Sequence, residues 1–339
     1  MQEVKVSVLI AIYNAGKYLE ECLSSLARQS LKECQFICID DCSTDSSADI
    51  VKRYASADER FVFLATPVNS GQAIARNLGL NFAKGKYITM LDADDWFDEQ
   101  SLEKAYNTIE STSECDCSLF RLVMIDNGVH TDYSGISDGV YSGQDAFRMS
   151  LDWTLHGYYL IRRDIHLKYP YDTTCRLYSD DNTTRLHFLH SRRVAFSDGI
   201  YYYRQHHESM THRFSVEHFL FMDAFSSMKS QILAEISLGS INQPEEVLTQ
   251  FENLRWFNFL SMVRYYLDNK NKMSAQEQAD ILYRLKTKLQ TFETDRIESR
   301  YHYRFGYMPI KNWRLFYLQQ TLFWRLYPHY RSLVSRCRL

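Results

Sequence analysis

Three carboxylates follow an apolar run in the N-terminal third of the chain. The run covers residues 87–91, and Asp92, Asp94 and Asp95 stand within the next four positions. A carboxylate that loses its water costs free energy unless it is paired or binds a cation. Oxygen ligands of this kind suit a hard divalent ion such as Mg²⁺ or Mn²⁺, which commonly holds the phosphates of a substrate. The alternative is that the acidic turn only caps a following helix.

Two upstream segments also end in polar residues. Residues 6–13 form a β-branched run that ends in Tyr13, and residues 36–39 lead into Asp40 and Asp41. Apolar residues at helical spacing follow each run, which predicts alternating strands and helices. Such an alternation implies a mainly parallel α/β sheet covered by helices on both faces. Because ligands bind beyond the carboxyl ends of parallel strands, these polar side chains and the acidic turn are expected to share one site.

Four ordered segments resemble the motifs of family 2 glycosyltransferases. They are Val6 to Asn14 followed by Tyr18-Leu19, Ile39 to Asp45, Asn69 to Asn77, and Leu91 to Asp95. The resemblance covers residues 4–215 and implies the nucleotide-sugar-binding fold called GT-A. It also implies sugar transfer from a nucleoside diphosphate, with Mn²⁺ or Mg²⁺ as the cofactor. At Ala11 the chain lacks the proline that is frequent in the first motif, so the backbone there and Tyr13 are expected to make the nucleotide contact.

The resemblance assigns roles around the nucleotide. The flat ring of Tyr13 would pack on the base. Asp41 would accept a hydrogen bond from a ring N–H that uracil has and cytosine lacks, so a UDP-linked donor is expected. Its neighbour Asp40 is expected to stabilise the turn.

Further roles follow for the diphosphate and the metal. Arg76 would contact the diphosphate or ribose, because a guanidinium matches phosphate oxygens well; the alternative is a structural ion pair with Asp40 or Asp92. Asp94 is the predicted metal ligand. Asp92 would contact the ribose or a metal-bound water, and Asp95 would cap a helix or support the site from behind.

Two later segments complete the predicted site. Asp180 and Asp181 correspond in the resembling family to an acidic pair that opens a helix below the sugar. An inverting transfer needs a general base beside the acceptor hydroxyl, and Asp181 is the predicted base; the alternative is a carboxylate placed to favour the helix N-terminus. The segment 201–211 resembles the end of the family's catalytic domain. There His206, rather than the adjacent His207, is predicted to complete the metal site, although a lone histidine is often structural.

The composition is that of an ordinary globular protein, with 45% hydrophobic and 24% charged residues. Residues 1–5 lead directly into the first strand, so no signal peptide is expected. No uninterrupted apolar run is long enough to span a membrane. The eight cysteines lack zinc-type spacing and are expected to be free thiols in a reducing compartment. These features predict a cytoplasmic protein.

A helical C-terminal region is predicted from residue 216 to residue 339, after a catalytic domain over residues 1–215. Its last forty residues contain no Asp or Glu but eight basic residues, so residues 1–299 carry a net charge of −11. The basic residues are Arg300, Arg304, Lys311, Arg314, Arg325, Arg331, Arg336 and Arg338. Interleaved aromatic residues favour attachment to an anionic membrane surface. The alternatives are packing on the acidic body or an oligomer contact; nucleic acid is not expected as a partner.

The sequence therefore predicts an inverting, metal-dependent glycosyltransferase that acts on a saccharide hydroxyl. The acceptor is expected to be lipid-linked, in cell-surface polysaccharide synthesis at the inner face of the membrane. One alternative is transfer to polyprenyl phosphate, and another is a catalytically idle protein that binds nucleotide sugars. The sugar, the acceptor and the linkage depend on loops such as residues 115–141 and 153–163, which contain no recognisable pattern.

Overall fold

The computed structural model describes residues 3–178, 180–206 and 214–336, with side chains to residue 327. The chain divides into two compact units, Met1–Arg213 and Phe214–Leu339. Among the described residues, no helix combines the length and the apolar character needed to cross a membrane. The seven cysteines within these ranges are all free thiols.

The first unit is built on one sheet, which has ten strands within the described residues. The strands are β1 (Val6–Ile12), β2 (Cys34–Asp40), β3 (Phe61–Ala65), β4 (Tyr87–Met90), β5 (Trp96–Phe97), β6 (Cys115–Asp126), β7 (Val129–Asp132), β8 (Val140–Ser142), β9 (Tyr159–Arg162) and β10 (Arg193–Gln205). The helices of this unit are α1 (Leu19–Ala27), α2 (Ser47–Ala57), α3 (Gln72–Leu80), α4 (Ser101–Ser111), α5 (Gly143–Leu151), α6 (Arg163–Lys168) and α7 (Asp180–Leu189).

The strand order is β3-β2-β1-β4-β9-β6-β10-β5, with β7 beside β6 and β8 beside β10. The first four strands in this order, β3, β2, β1 and β4, are parallel to one another, and β10 is parallel to β6. In contrast, β9 is antiparallel to both β4 and β6, and β5 is antiparallel to β10. The predicted α/β fold is confirmed, but the sheet is parallel in its first half and mixed in its second.

Helices cover both faces of the sheet, as predicted. Val8 and Ile10 of β1 pack with Leu23 of α1 in one apolar cluster. Leu9, which points to the other face, packs in a second cluster with Ala75 of α3. Both layers bury apolar side chains from one strand, because successive strand residues point to opposite faces. The sheet is therefore covered by apolar packing on both faces.

The second unit is helical, as predicted. Its helices are α8 (Phe221–Ser237), α9 (Pro244–Asn269), α10 (Ala275–Gln290), α11 (Ser299–His302) and α12 (Trp313–Arg336). The fully buried indole of Trp256 stands among Phe259, Phe292 and Phe316, and its Nε1 donates a hydrogen bond to the Tyr307 carbonyl at 2.8 Å. This aromatic core joins α9 to the start of α12.

Candidate active site

The carboxyl ends of β2, β1 and β4 lie side by side at one edge of the sheet. Ile12 pairs with Asp40 in the β1–β2 register, and the Leu91 backbone N–H donates to the Leu9 carbonyl beyond the end of β4. Ala11, the predicted backbone contact, pairs with a residue of β2 one position earlier. The turn that carries the acidic cluster therefore begins beside the end of β1, as predicted from the strand ends.

Tyr13 is the exposed aromatic residue at this edge, with 51% of its surface accessible. The residue after it, Asn14, is tied to the loop after β2. Its backbone N–H donates to Ser43 Oγ at 3.0 Å, and its Oδ1 accepts from the Thr44 backbone N–H at 2.8 Å. These bonds fix the turn that presents the Tyr13 ring, which is free to pack on a planar group.

Asp41 is buried, with 3% of its surface accessible, and its carboxylate organises the loop that precedes α3. It accepts from Thr66 Oγ1 at 2.6 Å, from the Ser70 backbone N–H at 2.9 Å and from the Gly71 backbone N–H at 2.7 Å. Gly71 has a φ of +90°, where a side chain would be strained. The sequence did not predict this loop-holding role. The predicted contact between Asp41 and a base stays a prediction.

Arg76 on α3 reaches the acidic turn. Its guanidinium is almost fully buried and donates to the Asp92 carboxylate, which is the ion pair considered as an alternative from the sequence. Within the described residues, its Nε and Nη1 make no hydrogen bond. The pair therefore leaves two buried donors for another acceptor, such as a phosphate oxygen.

The Asp92 carboxyl is itself perturbed. Burial raises its pKa to about 6 despite the opposing charge of Arg76, and the charges of Asp94 and Asp180 act in the same direction as burial. Concentrated negative charge of this kind is relieved when a cation binds. The negative charge in the turn after β4 thus favours the binding of a cation there.

Asp94 and His206, the two predicted metal ligands, are in contact. His206 Nε2 lies 2.9 Å from Asp94 Oδ2, and the Asp94 side chain is about one-third exposed. Among the described residues, His206 Nδ1 has no hydrogen-bond partner, and no three His, Cys, Asp or Glu side chains cluster as a complete cation site. A carboxylate and an imidazole suit Mn²⁺ or Mg²⁺ when substrate oxygens and water supply the remaining ligands.

Arg204 was not assigned a role from the sequence, yet it contacts Asp94 directly and His206 through the ring of Tyr18. Its Nε donates to the Asp94 carbonyl at 2.9 Å, and its guanidinium lies 4.5 Å from the Trp96 ring centroid and 5.2 Å from that of Tyr18. The Tyr18 ring in turn lies 4.6 Å from the His206 ring. The sequence could have indicated this supporting role, because Arg204 stands two residues before His206 in the same motif.

Asp95 supports the site from behind and caps no helix, since β5 follows it directly. Its buried carboxylate accepts from the Tyr201 hydroxyl and from the Arg204 backbone N–H, both at 2.8 Å. Burial raises the pKa of Asp95 well above its usual value, and the charges of Asp92 and Asp94 raise it further. This carboxyl fixes the turn after β4 to β10.

The acidic pair stands in the first turn of α7, as predicted. Asp180 lies beside a recess that Met90 and Tyr171 also line, and its charge contributes to the raised pKa of Asp92. Asp181 interacts instead with Arg185. Burial raises the pKa of Asp181 well above its usual value, Asp180 raises it further, and Arg185 opposes the change. Asp180 is therefore electrostatically coupled to the acidic turn after β4, although no role was predicted for it.

His187 fastens α7 to the sheet. Its Nδ1 lies 2.7 Å from the Tyr159 hydroxyl on β9, and its Nε2 lies 2.7 Å from the Tyr169 carbonyl. Burial lowers the pKa of His187 to about 4, so the ring is neutral near pH 7. Because α7 carries Asp181, these two contacts set the position of the predicted base.

This chain is similar to known glycosyltransferases. Residues 7–168 match the family Glycosyl transferase family 2. Glycosyltransferase GlyG of Streptococcus pneumoniae is 27% identical over 303 residues, which is 83% of this chain and 95% of that protein. The putative teichuronic acid biosynthesis glycosyltransferase TuaG of Bacillus subtilis is 42% identical over 99 residues, or 29% of this chain and 39% of that protein.

A solved structure supports the fold. The crystal structure of S. aureus TarS 1–349 in complex with UDP-GlcNAc has a TM-score of 0.72 with this chain at 21% identity. The match covers 95% of this chain and 91% of that one, so it extends over the helical C-terminal region as well as the sheet.

Proposed function

Because this chain is a family 2 glycosyltransferase, we propose that it transfers a sugar from a UDP-linked donor to a saccharide hydroxyl with inversion and with a divalent cation. The observation that carries the proposal is the contact between Asp94 and His206 at the carboxyl edge of the sheet. These two side chains stand 112 positions apart in the chain, one in the turn after β4 and the other just after β10. An oxygen and a nitrogen ligand held together at such an edge suit a cation that binds a diphosphate.

The donor is expected to lie across the ends of β1, β2 and β4. The exposed ring of Tyr13 would stack on the base, with the Ala11 backbone beside it. The unpaired N–H groups of Arg76 would donate to the diphosphate or ribose, which satisfies two buried donors. Asp92 would hold Arg76 in place and contact the ribose or a metal-bound water.

Asp94 and His206 would hold the cation, either Mn²⁺ or Mg²⁺. When bound, the cation neutralises the charge that develops on the leaving diphosphate. Arg204 and Tyr18 are positioning residues here, because they fix the carbonyl of Asp94 and the ring of His206.

Asp181 is the proposed general base. It takes the proton from the acceptor hydroxyl as the acceptor oxygen bonds to the sugar C1 and the bond from C1 to the diphosphate breaks. The raised pKa of Asp181 favours this transfer, since a carboxylate with a higher proton affinity is a stronger base.

The proposed acceptor is a lipid-linked saccharide in cell-surface polysaccharide synthesis, at the inner face of the membrane. The similarity to TuaG, named for teichuronic acid biosynthesis, supports this choice. Transfer to polyprenyl phosphate is the second candidate acceptor reaction, and it predicts a lipid-extractable product with one sugar on phosphate.

A panel of UDP-, GDP- and TDP-sugars incubated with saccharide acceptors tests the proposal by release of the nucleoside diphosphate. We expect acceptor-dependent release of UDP with Mn²⁺ or Mg²⁺ present. Binding without turnover, for every donor and acceptor, would instead support an idle nucleotide-sugar-binding protein. Configuration at the new linkage, read by NMR, tests inversion.

A further inference from the structure

Helix α12 has one face that packs inside the second unit. Phe316 and Gln320 are fully buried, and Gln320 Nε2 donates to the Gly306 carbonyl at 2.8 Å. The Trp324 indole N–H donates to Gln320 Oε1 at 3.2 Å, one turn further along. These contacts fix the rotation of the helix about its axis.

A different face of α12 carries a row of exposed leucines, which we call the leucine stripe. Its members are Leu315, Leu318, Leu322 and Leu326, and their accessible fractions are 57%, 56%, 42% and 55%. Spacings of three, four and four residues place all four side chains on one side of a helix. Scattered exposed leucines are common, but a continuous row on a helix that already has a buried face indicates a second binding surface.

Exposed basic residues border the leucine stripe. Arg314 and Arg325 stand four residues before and seven residues after Leu318, so both lie beside it on the helix surface. The surrounding segment from residue 300 to residue 339 has eight basic residues and no acidic one. The stripe therefore has a cationic border along one side, and its own segment contains no acidic residue to neutralise that charge.

We infer that the leucine stripe, with Arg314 and Arg325, docks α12 on an anionic lipid surface in the plane of the headgroups. The leucines would enter the acyl boundary while the guanidinium groups contact lipid phosphates. The inference adds specific residues to the membrane attachment expected from composition. It stands independently of the transfer reaction, because all of its residues belong to α12.

The combination of exposed leucines and arginines favours an anionic lipid surface over nucleic acid or a second copy of the chain. Nucleic acid phosphates would pair with the arginines but would leave four leucines in water. A second copy of the chain would bury the leucines, but a symmetric contact would bring the arginine borders of both copies together without acidic partners. An anionic lipid surface offers acyl chains to the leucines and phosphate groups to the arginines.

Flotation of the full chain with vesicles tests this inference. The vesicles contain either phosphatidylglycerol mixed with phosphatidylcholine or phosphatidylcholine alone, each at low and high salt. One variant combines Leu318→Ser with Leu322→Ser, and another combines Arg314→Gln with Arg325→Gln. The control combines Leu238→Ser with Tyr283→Ser, because these residues are 75% and 71% exposed in the same unit but lie outside α12.

We expect the wild type to bind anionic vesicles and to lose most of that binding at high salt. The leucine variant should bind at least tenfold more weakly, and the arginine variant about 30-fold more weakly at low salt, since each arginine contributes roughly fivefold. The control should bind like the wild type. Circular dichroism verifies that each variant is folded.

Three results would overturn the inference. The wild type could fail to prefer anionic vesicles, or the folded leucine and arginine variants could both bind them normally. Analytical ultracentrifugation without lipid could also show a dimer that the leucine variant abolishes, in which case the face binds a second copy instead.

Discussion

His206 Nε2 lies 2.9 Å from Asp94 Oδ2, although 112 positions separate the two residues in the chain. The contact joins the end of β10 to the turn after β4. Arg204 donates a hydrogen bond to the Asp94 carbonyl, and the Tyr18 ring packs against the His206 ring. A cation that binds here would therefore meet ligands whose positions are fixed before the substrate arrives.

Replacing the carboxylate ligand should remove transfer without unfolding the protein. We expect Asp94→Asn to lower kcat by roughly 10²-fold or more, the scale of a lost electrostatic contact to the leaving group. His206→Gln should raise the metal concentration needed for half-maximal rate. The control is Glu99→Gln, an exposed carboxylate in the same segment. Turnover by Asp94→Asn close to that of the wild type would exclude Asp94 as the ligand.

The predicted base should give a characteristic pH dependence. Burial raises the pKa of Asp181, and a base works only when deprotonated, so the wild-type rate should fall with decreasing pH at a midpoint well above the usual aspartate value of about 4. Asp181→Asn should lower kcat by roughly 10²-fold or more while UDP affinity stays the same. Steady-state kinetics across pH and calorimetric titration of UDP measure both effects.

Asp180→Asn is the matched variant for this test. Removing the neighbouring charge should lower the pKa of Asp181 and move the acidic limb of the rate profile to lower pH. Turnover should persist. If Asp180→Asn abolished transfer while Asp181→Asn spared it, the base would be Asp180.

Asp41 should contribute to stability as well as to nucleotide binding. Asp41→Ala leaves the backbone N–H groups of Ser70 and Gly71 without their acceptor, at a cost of about 1–3 kcal/mol for each buried donor. We therefore expect a clear fall in Tm without ligand. Asp49→Ala, an exposed carboxylate on α2, should leave the Tm unchanged. An unchanged Tm with weaker UDP binding in Asp41→Ala would mean that its main partner is the base.

His187, which holds α7 against β9, should make the stability of the fold decrease at acidic pH. The pKa of His187 is about 4 in the folded chain and about 6.5 in an unfolded one. As the pH falls, the unfolded chain therefore protonates His187 at a higher pH than the folded chain does. Its contribution to stability is complete above pH 6.5 and declines as the pH falls towards 4. His187→Gln should lower the Tm at pH 7.5, and the difference from wild type should narrow at pH 5. The exposed His130 supplies the control, His130→Gln, whose Tm difference should not follow this trend.

The sequence predicted the half of the sheet that carries the strand ends. β1, β2 and β4 are short apolar runs that lead into polar residues, and the helical connections between them imply that they run parallel, with their carboxyl ends at one edge. The acidic turn after β4 was therefore expected beside Tyr13. The direction of β9 could not be read in the same way, because a buried run of four residues is compatible with either orientation.

The supporting contacts of the site were harder to predict. The bond from Arg204 to the Asp94 carbonyl joins residues 110 positions apart, and it depends on the register of β10 against β6. Likewise, composition predicted a basic, aromatic tail, but the leucine stripe became visible only once Gln320 and Phe316 showed which face of α12 is buried. Sequence spacing gives the faces of a helix, and packing decides which one remains exposed.

A crystal of the full chain grown with UDP and Mn²⁺ would show whether Asp94 and His206 hold the metal. An anomalous difference map identifies the manganese by its own anomalous scattering. We expect one strong peak within bonding distance of Asp94 and His206 and in contact with the diphosphate, with the uracil against Tyr13. A manganese peak elsewhere, or bound UDP whose diphosphate lies away from Asp94, would contradict this assignment.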